Sequence, residues 1–176
     1  MEKPKAIIFD LDGTLVDTTP ALKWVDKTHP EFTGKDLNAF HTVGFNCVPN
    51  ESVANAWFDA KRAGVKCIVL TGRLEKWREQ TEWWLARHNF TPDQHIHRKK
   101  GDRRPAFVYK AEILAHLVDH FEVIYAYDDD PRVIDMYERC GVACYKVGSW
   151  PEENGQPILP ANEEPDDNGQ NLVGVH

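Results

Sequence analysis

The chain lacks any long hydrophobic run: its apolar stretches are only a few residues each across 176 residues. A membrane-crossing helix needs roughly 20 consecutive apolar residues, so a helical membrane protein is not expected. Met1-Glu2-Lys3-Pro4-Lys5 leads straight into an apolar stretch with no signal-peptide core, and a cytoplasmic protein is the expectation. Cysteine is scarce, and Cys47, Cys67, Cys140 and Cys144 form no CxxC pair. That argues against a disulfide framework or a zinc site and for reduced thiols. There is no GxxxxGK[ST] phosphate loop and no internal repeat, which excludes a P-loop kinase and a solenoid. Lys and Arg are absent from residues 151–176, where Glu152, Glu153, Glu163, Glu164, Asp166 and Asp167 lie among prolines, asparagines and glycines. These six acids account for most of the formal net charge of −7, leaving residues 1–150 near neutrality. The acidic balance therefore does not exclude a nucleic-acid substrate for the folded part. The expected organisation is one domain over 1–150 and an acidic tail over 151–176 without a core of its own.

What is present is an α/β alternation. The pattern places strands at Ala6–Phe9, Val65–Leu70, Gln94–His97, Val123–Tyr127 and Val142–Val147. Helices are expected over Asn50–Ala63, Leu74–His88, Phe107–Asp119 and Pro131–Cys140, with Gly64 and Gly141 as stops and Asp130 as an N-cap. The stripe Leu74, Trp77, Thr81, Trp84, Leu85 and His88 reads as core packing. Such alternation implies a doubly wound, mainly parallel sheet with helices on both faces. Residues 16–50 break the pattern and are expected to hold local helices, starting at Thr19-Pro20, as a flap or small cap.

Right-handed crossovers bring the carboxyl ends of parallel strands to one rim, where ligands bind. Three such ends carry polar clusters: Asp10/Asp12, Thr71-Gly72-Arg73 and Asp128-Asp129. Asp10 and Asp12 share a strand face, and Gly13 permits a sharp turn after them. Two close acids resist joint ionisation unless a cation or shared proton relieves them. Phosphoryl transfer uses this set: a nucleophile, an acid for the leaving oxygen, a cation and donors for the phosphoryl oxygens. Asp10 is the candidate nucleophile and Asp12 the acid/base. Thr71 offers a hydroxyl and an amide, and Lys110 a positive charge. Magnesium (Mg2+) would suit Asp10, the carbonyl of Asp12 and Asp128 or Asp129. The bland readings are a solvated acidic turn, an ordinary strand-to-helix turn at Thr71-Gly72-Arg73 and a solvated Lys110.

Asp10-Leu11-Asp12-Gly13-Thr14, Thr71-Gly72-Arg73, Lys110 and Asp128-Asp129 resemble the four motifs of the haloacid dehalogenase (HAD) superfamily. The resemblance spans about residues 5–147. It implies a three-layer Rossmann-like fold and a magnesium-dependent aspartyl-phosphate route, with the acid at Asp12 typical of phosphatases and mutases. A narrower resemblance is to the phosphatase domain of polynucleotide kinase-phosphatases. It is carried by His97-Arg98-Lys99-Lys100-Gly101-Asp102-Arg103-Arg104, Lys110-Ala111-Glu112-Ile113, Val133–Tyr137 and Gly141–Val147. It implies removal of 3′-phosphates from nucleic-acid ends or nucleotides, with a contribution from Arg73. The chain departs from that family at Ala106, where an acidic residue is usual, and in 13–34, which lack the flap arginine.

Gly72 and Arg73 are candidate substrate contacts, as are Arg98, Arg103 and Arg104, which with Lys99 and Lys100 are expected to form a cationic loop for flanking phosphates. A solvated charged loop is the alternative. Two other functions stay open at the level of sequence: a phosphatase for a mononucleotide or sugar phosphate, and a non-catalytic phosphate-binding module. The pairs His95/His97 and His116/His120 have metal-compatible spacing, but no acid or cysteine completes either set.

Overall fold

The computed structural model describes residues 2–148 and the backbone of two short strands, Glu152–Glu153 and Gln156–Pro157. Five parallel strands form the central sheet in the order β3-β2-β1-β4-β5. They are β1 (Lys5–Phe9), β2 (Lys66–Leu74), β3 (Gln94–Arg98), β4 (Glu122–Asp128) and β5 (Cys144–Lys146). The alternation along β1 sorts the core. Phe9 packs on one face with Leu15, Trp57, Val69 and Trp84, whereas Ala6 and Ile8 pack on the other with Leu70, Leu114, Val133 and Tyr137. Helices α2 (Glu51–Arg62) and α3 (Arg78–Arg87) cover the first face, and α4 (Ala106–His120) and α5 (Pro131–Arg139) cover the second. This is the three-layer Rossmann-like architecture. Trp57 is fully buried, and truncation of a buried aromatic costs about 3–5 kcal/mol.

The element ends show local chemistry. Asp130 caps α5 by accepting from the Arg132 amide at 2.9 Å, with Pro131 in the first turn. Gly64 and Gly141 follow α2 and α5. Three boundaries differ from expectation. The stretch 74–88 opens as a 3-10 turn, Glu75–Trp77, before α3, and the stretch 142–147 is extended in pairing only over Cys144–Lys146. More consequential is β2, which runs through Thr71-Gly72-Arg73 to Leu74 rather than ending before them. Leu70 pairs with Ile96 and Leu74 with Arg98, so four steps on β2 oppose two on β3. Residues 71–73 are thereby bulged out of the ladder.

Segment 16–50 contains a 3-10 helix, Thr19–Trp24, and α1 (Leu37–Gly44). Its two ends are tied together: the Asp17 amide donates to the Val48 carbonyl at 3.0 Å, and Asn50 to Leu15 at 2.8 Å. Thr18 makes no side-chain cap on the 3-10 helix. Asp17 takes that role, accepting from the Thr19 amide at 3.0 Å and from its hydroxyl at 2.6 Å. The acidic tail falls outside the described residues except for the antiparallel pair Glu152–Glu153 and Gln156–Pro157. No helix among the described residues is long and apolar enough to cross a membrane.

Candidate active site

The strand order reverses direction between β1 and β4, and the crevice outside such a switch point is the natural ligand site of an open α/β sheet. Asp10 sits one residue beyond β1, its amide bonded to the Tyr127 carbonyl of β4 at 3.0 Å. Asp128 ends β4. Lys110, in the early part of α4, reaches between them: its Nζ lies 2.9 Å from Asp10 Oδ1 and donates to Asp128 Oδ2 at 2.7 Å. All three side chains are buried. Burial pushes the Asp10 carboxyl above its ordinary value, against the pull of Lys110. Burial likewise raises Asp128, to about 7, with Asp10 adding to the effect and Lys110 opposing it. Burial disfavours the Lys110 ammonium, but the charges of Asp10 and Asp128 outweigh it and hold its pKa well above the usual lysine range.

Asp10, Asp128 and Asp129 each bring one carboxylate oxygen to within 4.8 Å of the others. Clustered hard oxygens fit a small divalent cation. Asp129 is steered into this cluster by Thr14, whose hydroxyl donates to Asp129 Oδ1 at 3.2 Å. Gly13 leaves room for it. A Cβ at Gly13 would stand 2.6 Å from Asp129 Oδ2, and the residue has φ +76°, so both space and backbone conformation require glycine.

The Asp12 carboxylate points elsewhere. Arg73 grips it with two bonds, Nε to Oδ2 at 2.8 Å and Nη2 to Oδ1 at 2.6 Å. Burial alone would raise Asp12, but the charge and hydrogen bonds of Arg73 override it and lower the carboxyl below its ordinary range. The guanidinium is itself fixed: Nη1 donates to Thr81 Oγ1 at 3.0 Å and the group lies over the Phe45 ring at 4.7 Å. Thr71 is buried, and its hydroxyl accepts from the Arg73 amide at 3.1 Å. That bond closes the bulge and aims Arg73 inward.

Residues 4–149 match the family profile of the polynucleotide kinase PNKP phosphatase domain, a branch of the HAD proteins. The chain belongs to this family. The HAD domain is also similar to a chain in the structure of the Pnkp1/Rnl/Hen1 RNA repair complex, at 30% identity and a TM-score of 0.68 over 84% of this chain and 43% of that one. A second structure of the Pnkp1/Rnl/Hen1 complex gives 31% identity and a TM-score of 0.68, covering 84% of this chain and 47% of the other. The HAD domain thus spans less than half the length of these two chains. A putative beta-phosphoglucomutase from Thermotoga maritima shares the fold, at 20% identity and a TM-score of 0.55 over 88% of this chain and 89% of that one.

Around this HAD site the structure gathers Asp10, Asp12, Thr71, Arg73, Lys110, Asp128 and Asp129, with Gly72 in the bulge. It separates the cationic set. Arg98 is not in a loop; it ends β3, is buried, donates Nη1 to the Arg104 carbonyl at 2.7 Å and lies over the Tyr109 ring at 5.0 Å. A Cβ on Gly72 would stand 3.8 Å from Arg98 Nη2, so this guanidinium flanks the bulge. Arg104 folds back onto Asp102 at 2.7 Å and onto Glu112. Arg103, Lys99 and Lys100 are exposed. His95 and His97 face one another, Nε2 to Nε2 at 2.7 Å, with no third ligand in a metal-binding group among the described residues.

Sequence reasoning missed two contributors. Thr14 was visible in the motif without a role. His41, in α1, lies with Nδ1 3.8 Å from Asp12 Oδ2 and is buried. Burial pushes its imidazole down to about 4, with Asp12 opposing. No pattern around Phe40-His41-Thr42 marks it, because its placement depends on how segment 16–50 folds back.

Proposed function

We propose that this HAD domain is a magnesium-dependent phosphomonoesterase acting through an aspartyl phosphate on Asp10, and that its substrates carry 3′-phosphates on nucleic-acid ends or nucleotides. The observation that carries the chemistry is the pair of separated carboxylates. Asp10 faces Lys110 and the acid cluster, whereas Asp12 is held apart by Arg73. Two neighbouring acids in unlike environments are suited to unlike roles. The substrate class is supported by the family match and by the likeness to the RNA repair complex.

Asp10 attacks phosphorus, the bond to the leaving oxygen breaks, and Asp12 supplies that oxygen with a proton. Asp12 rests ionised beside Arg73. An incoming phosphoryl dianion favours its protonation and competes for the Arg73 donors. In the second half Asp12 takes a proton from the water that attacks the phosphorus and releases phosphate. Lys110 keeps Asp10 aligned and neutralises charge that builds up beside it. Thr71 and Gly72 place amides at the rim for the phosphoryl oxygens, with Arg73 and Arg98 on either side. Asp10, Asp128, Asp129 and the Asp12 carbonyl would hold magnesium, which when bound offsets phosphoryl charge. Segment 16–50 serves as a small flap over a site open enough for a polymer end. Residues 1–150 act as the catalytic domain and 151–176 as an appended tail.

The test is turnover of a 3′-phosphorylated oligonucleotide and a 3′-mononucleotide with magnesium, by the wild type and by Asp10→Asn. Loss of at least about 10³-fold with an unchanged circular dichroism spectrum is expected for removal of a nucleophile. Wild-type rates in the variant would remove Asp10 from the mechanism.

A further inference from the structure

Helix α1 sits directly on the Asp12–Arg73 pair. Asp36 starts it, accepting from the Ala39 amide at 2.9 Å. His41 and Gly44, three residues apart, then face the site together. A Cβ on Gly44 would lie 3.6 Å from Arg73 Nη2 and 3.9 Å from Asp12 Oδ1, so the helix backbone itself covers the pair. The His41 ring is wedged between Phe40 and Trp77, with centroids at 5.3 and 5.4 Å. Its position is therefore set by packing.

One feature of this ring is unsatisfied. His41 Nδ1 is buried and has no hydrogen-bond partner. Buried polar atoms are rarely left so. Asp12 Oδ2 lies 3.8 Å from it, just beyond hydrogen-bond range. Arg73 meanwhile holds both oxygens of Asp12. A carboxyl gripped on both oxygens cannot present a proton to a leaving group until one oxygen is released.

We propose that His41 is a positioning residue for the acid/base: its Nδ1–H closes onto Asp12 Oδ2 and holds the carboxyl in place while the incoming phosphoryl group draws the Arg73 Nη2 donor off Oδ1, which then carries the proton to the leaving oxygen. The idea rests on the phosphatase reading above. The proton on His41 stays there; the proton transferred is the one on Asp12 Oδ1. The flap thus completes the catalytic group as well as covering it.

The test uses the dependence of rate on the leaving group. A 3′-mononucleotide expels an alkoxide that needs a proton, whereas p-nitrophenyl phosphate expels a stable phenolate that does not. The parameter is kcat/KM, which reports steps up to leaving-group departure. His41→Phe keeps the aromatic packing and loses the donor. Its kcat/KM on the 3′-mononucleotide is expected to fall by about 10–100-fold, part of the usual worth of a positioned acid, and on p-nitrophenyl phosphate by under about 3-fold. His41→Asn, whose amide nitrogen falls near the Nδ1 position, should recover most of the loss. His41→Gln, with its amide near the Nε2 position, should not. Equal losses on both substrates would mean a structural role and overturn the proposal, as would no loss on either. Should His41→Phe fail to fold, equal behaviour of the Asn and Gln variants on the 3′-mononucleotide overturns it, and selective recovery by Asn supports it. A wild-type protein inactive on both substrates would overturn the phosphatase reading itself, and the role of His41 with it.

Discussion

At the scale of single residues, two buried cations sort three of the acids into unlike environments. Lys110 sits between Asp10 and Asp128, and Arg73 takes Asp12. Both cations are buried, as are Asp10 and Asp128, whereas Asp12 is half-buried; removing Lys110 would leave uncompensated buried charge, which is strongly destabilising. Gly13 has the most exacting requirement, because the space a side chain would take belongs to the Asp129 carboxylate. Gly13→Ala must force a left-handed backbone on alanine, at about 1–2 kcal/mol, and must also displace Asp129. Asp129 is a member of the oxygen cluster, so the loss should appear as weaker magnesium dependence before it appears as unfolding. The midpoint of magnesium activation is expected to rise at least about 10-fold, roughly the energy of one lost ion contact. An unchanged midpoint in a titration of rate against magnesium would show that Asp129 tolerates the methyl group and lies outside the ion site.

At the scale of elements, much of the fold was legible because strands and helices carry their own periodicity. β1 delivers Asp10 just past its end because four apolar residues precede it, and α5 begins at Pro131 because Asp130 caps it. The polar clusters at 10–12 and 128–129 could be assigned to one rim from crossover handedness alone. What could not be read depends on long-range pairing. The Thr71–Arg73 bulge exists because β3 matches β2 with two residues fewer, which no local pattern encodes. The fate of Arg98 has the same cause: its run of basic neighbours reads as a loop, yet its pairing with Leu74 draws it into β3 and over the Tyr109 ring. Segment 16–50 was expected to hold local helices, but neither the position of α1 nor the approach of His41 to Asp12 could be read from it.

The β2–β3 junction also carries a stabilising contact that sequence did not reveal. Asp93 accepts from Lys61 at 2.9 Å, from Lys66 at 3.0 Å and from the Cys67 amide at 2.9 Å, while its own amide bonds back to the Cys67 carbonyl at 2.8 Å. It joins α2, β2 and the start of β3. Burial opposes its ionisation, but the amide and the two lysines outweigh that and hold the carboxyl down at about 2, from an ordinary 3.8. A depressed folded-state pKa means stability that is present above the unfolded value and lost as pH falls through the folded one. The window is therefore between about 4 and 2. Asp93→Asn should lower unfolding free energy at pH 7 by roughly 1 kcal/mol after allowance for solvent screening. It should also unfold less steeply than wild type on acidification below pH 4. Urea midpoints at pH 7 and pH 3 check this, with the difference between the two proteins shrinking at the lower pH.

At the scale of the whole molecule, the deciding property is where positive charge remains available. The formal excess of acid lies in residues 151–176 and says little about the site. Within 98–104, Arg98 and Arg104 are committed to the protein's own groups, Arg98 to a carbonyl and an aromatic face and Arg104 to Asp102 and Glu112. The structural work of these two shapes the β3–α4 connection, and Lys99 and Arg103 are presented outward from it. A strand whose 3′ end occupies the site would meet this connection with its upstream phosphates; a mononucleotide has none to offer. Charge removal at Lys99 and Arg103 should then act only on the longer substrate. For Lys99→Ala/Arg103→Ala, KM for a 3′-phosphorylated oligonucleotide is expected to rise about 3–10-fold at moderate salt, with the slope of log(kcat/KM) against log[salt] reduced by between 1 and 2, as for the loss of about two phosphate contacts. Turnover of the 3′-mononucleotide should not change, because Asp10, Asp12 and Lys110 are untouched. If KM rose equally for both substrates, the connection would be supporting the site rather than holding a strand. If neither moved, and wild-type rates on the oligonucleotide showed no dependence on salt, the catalytic domain would be acting on small phosphate esters alone.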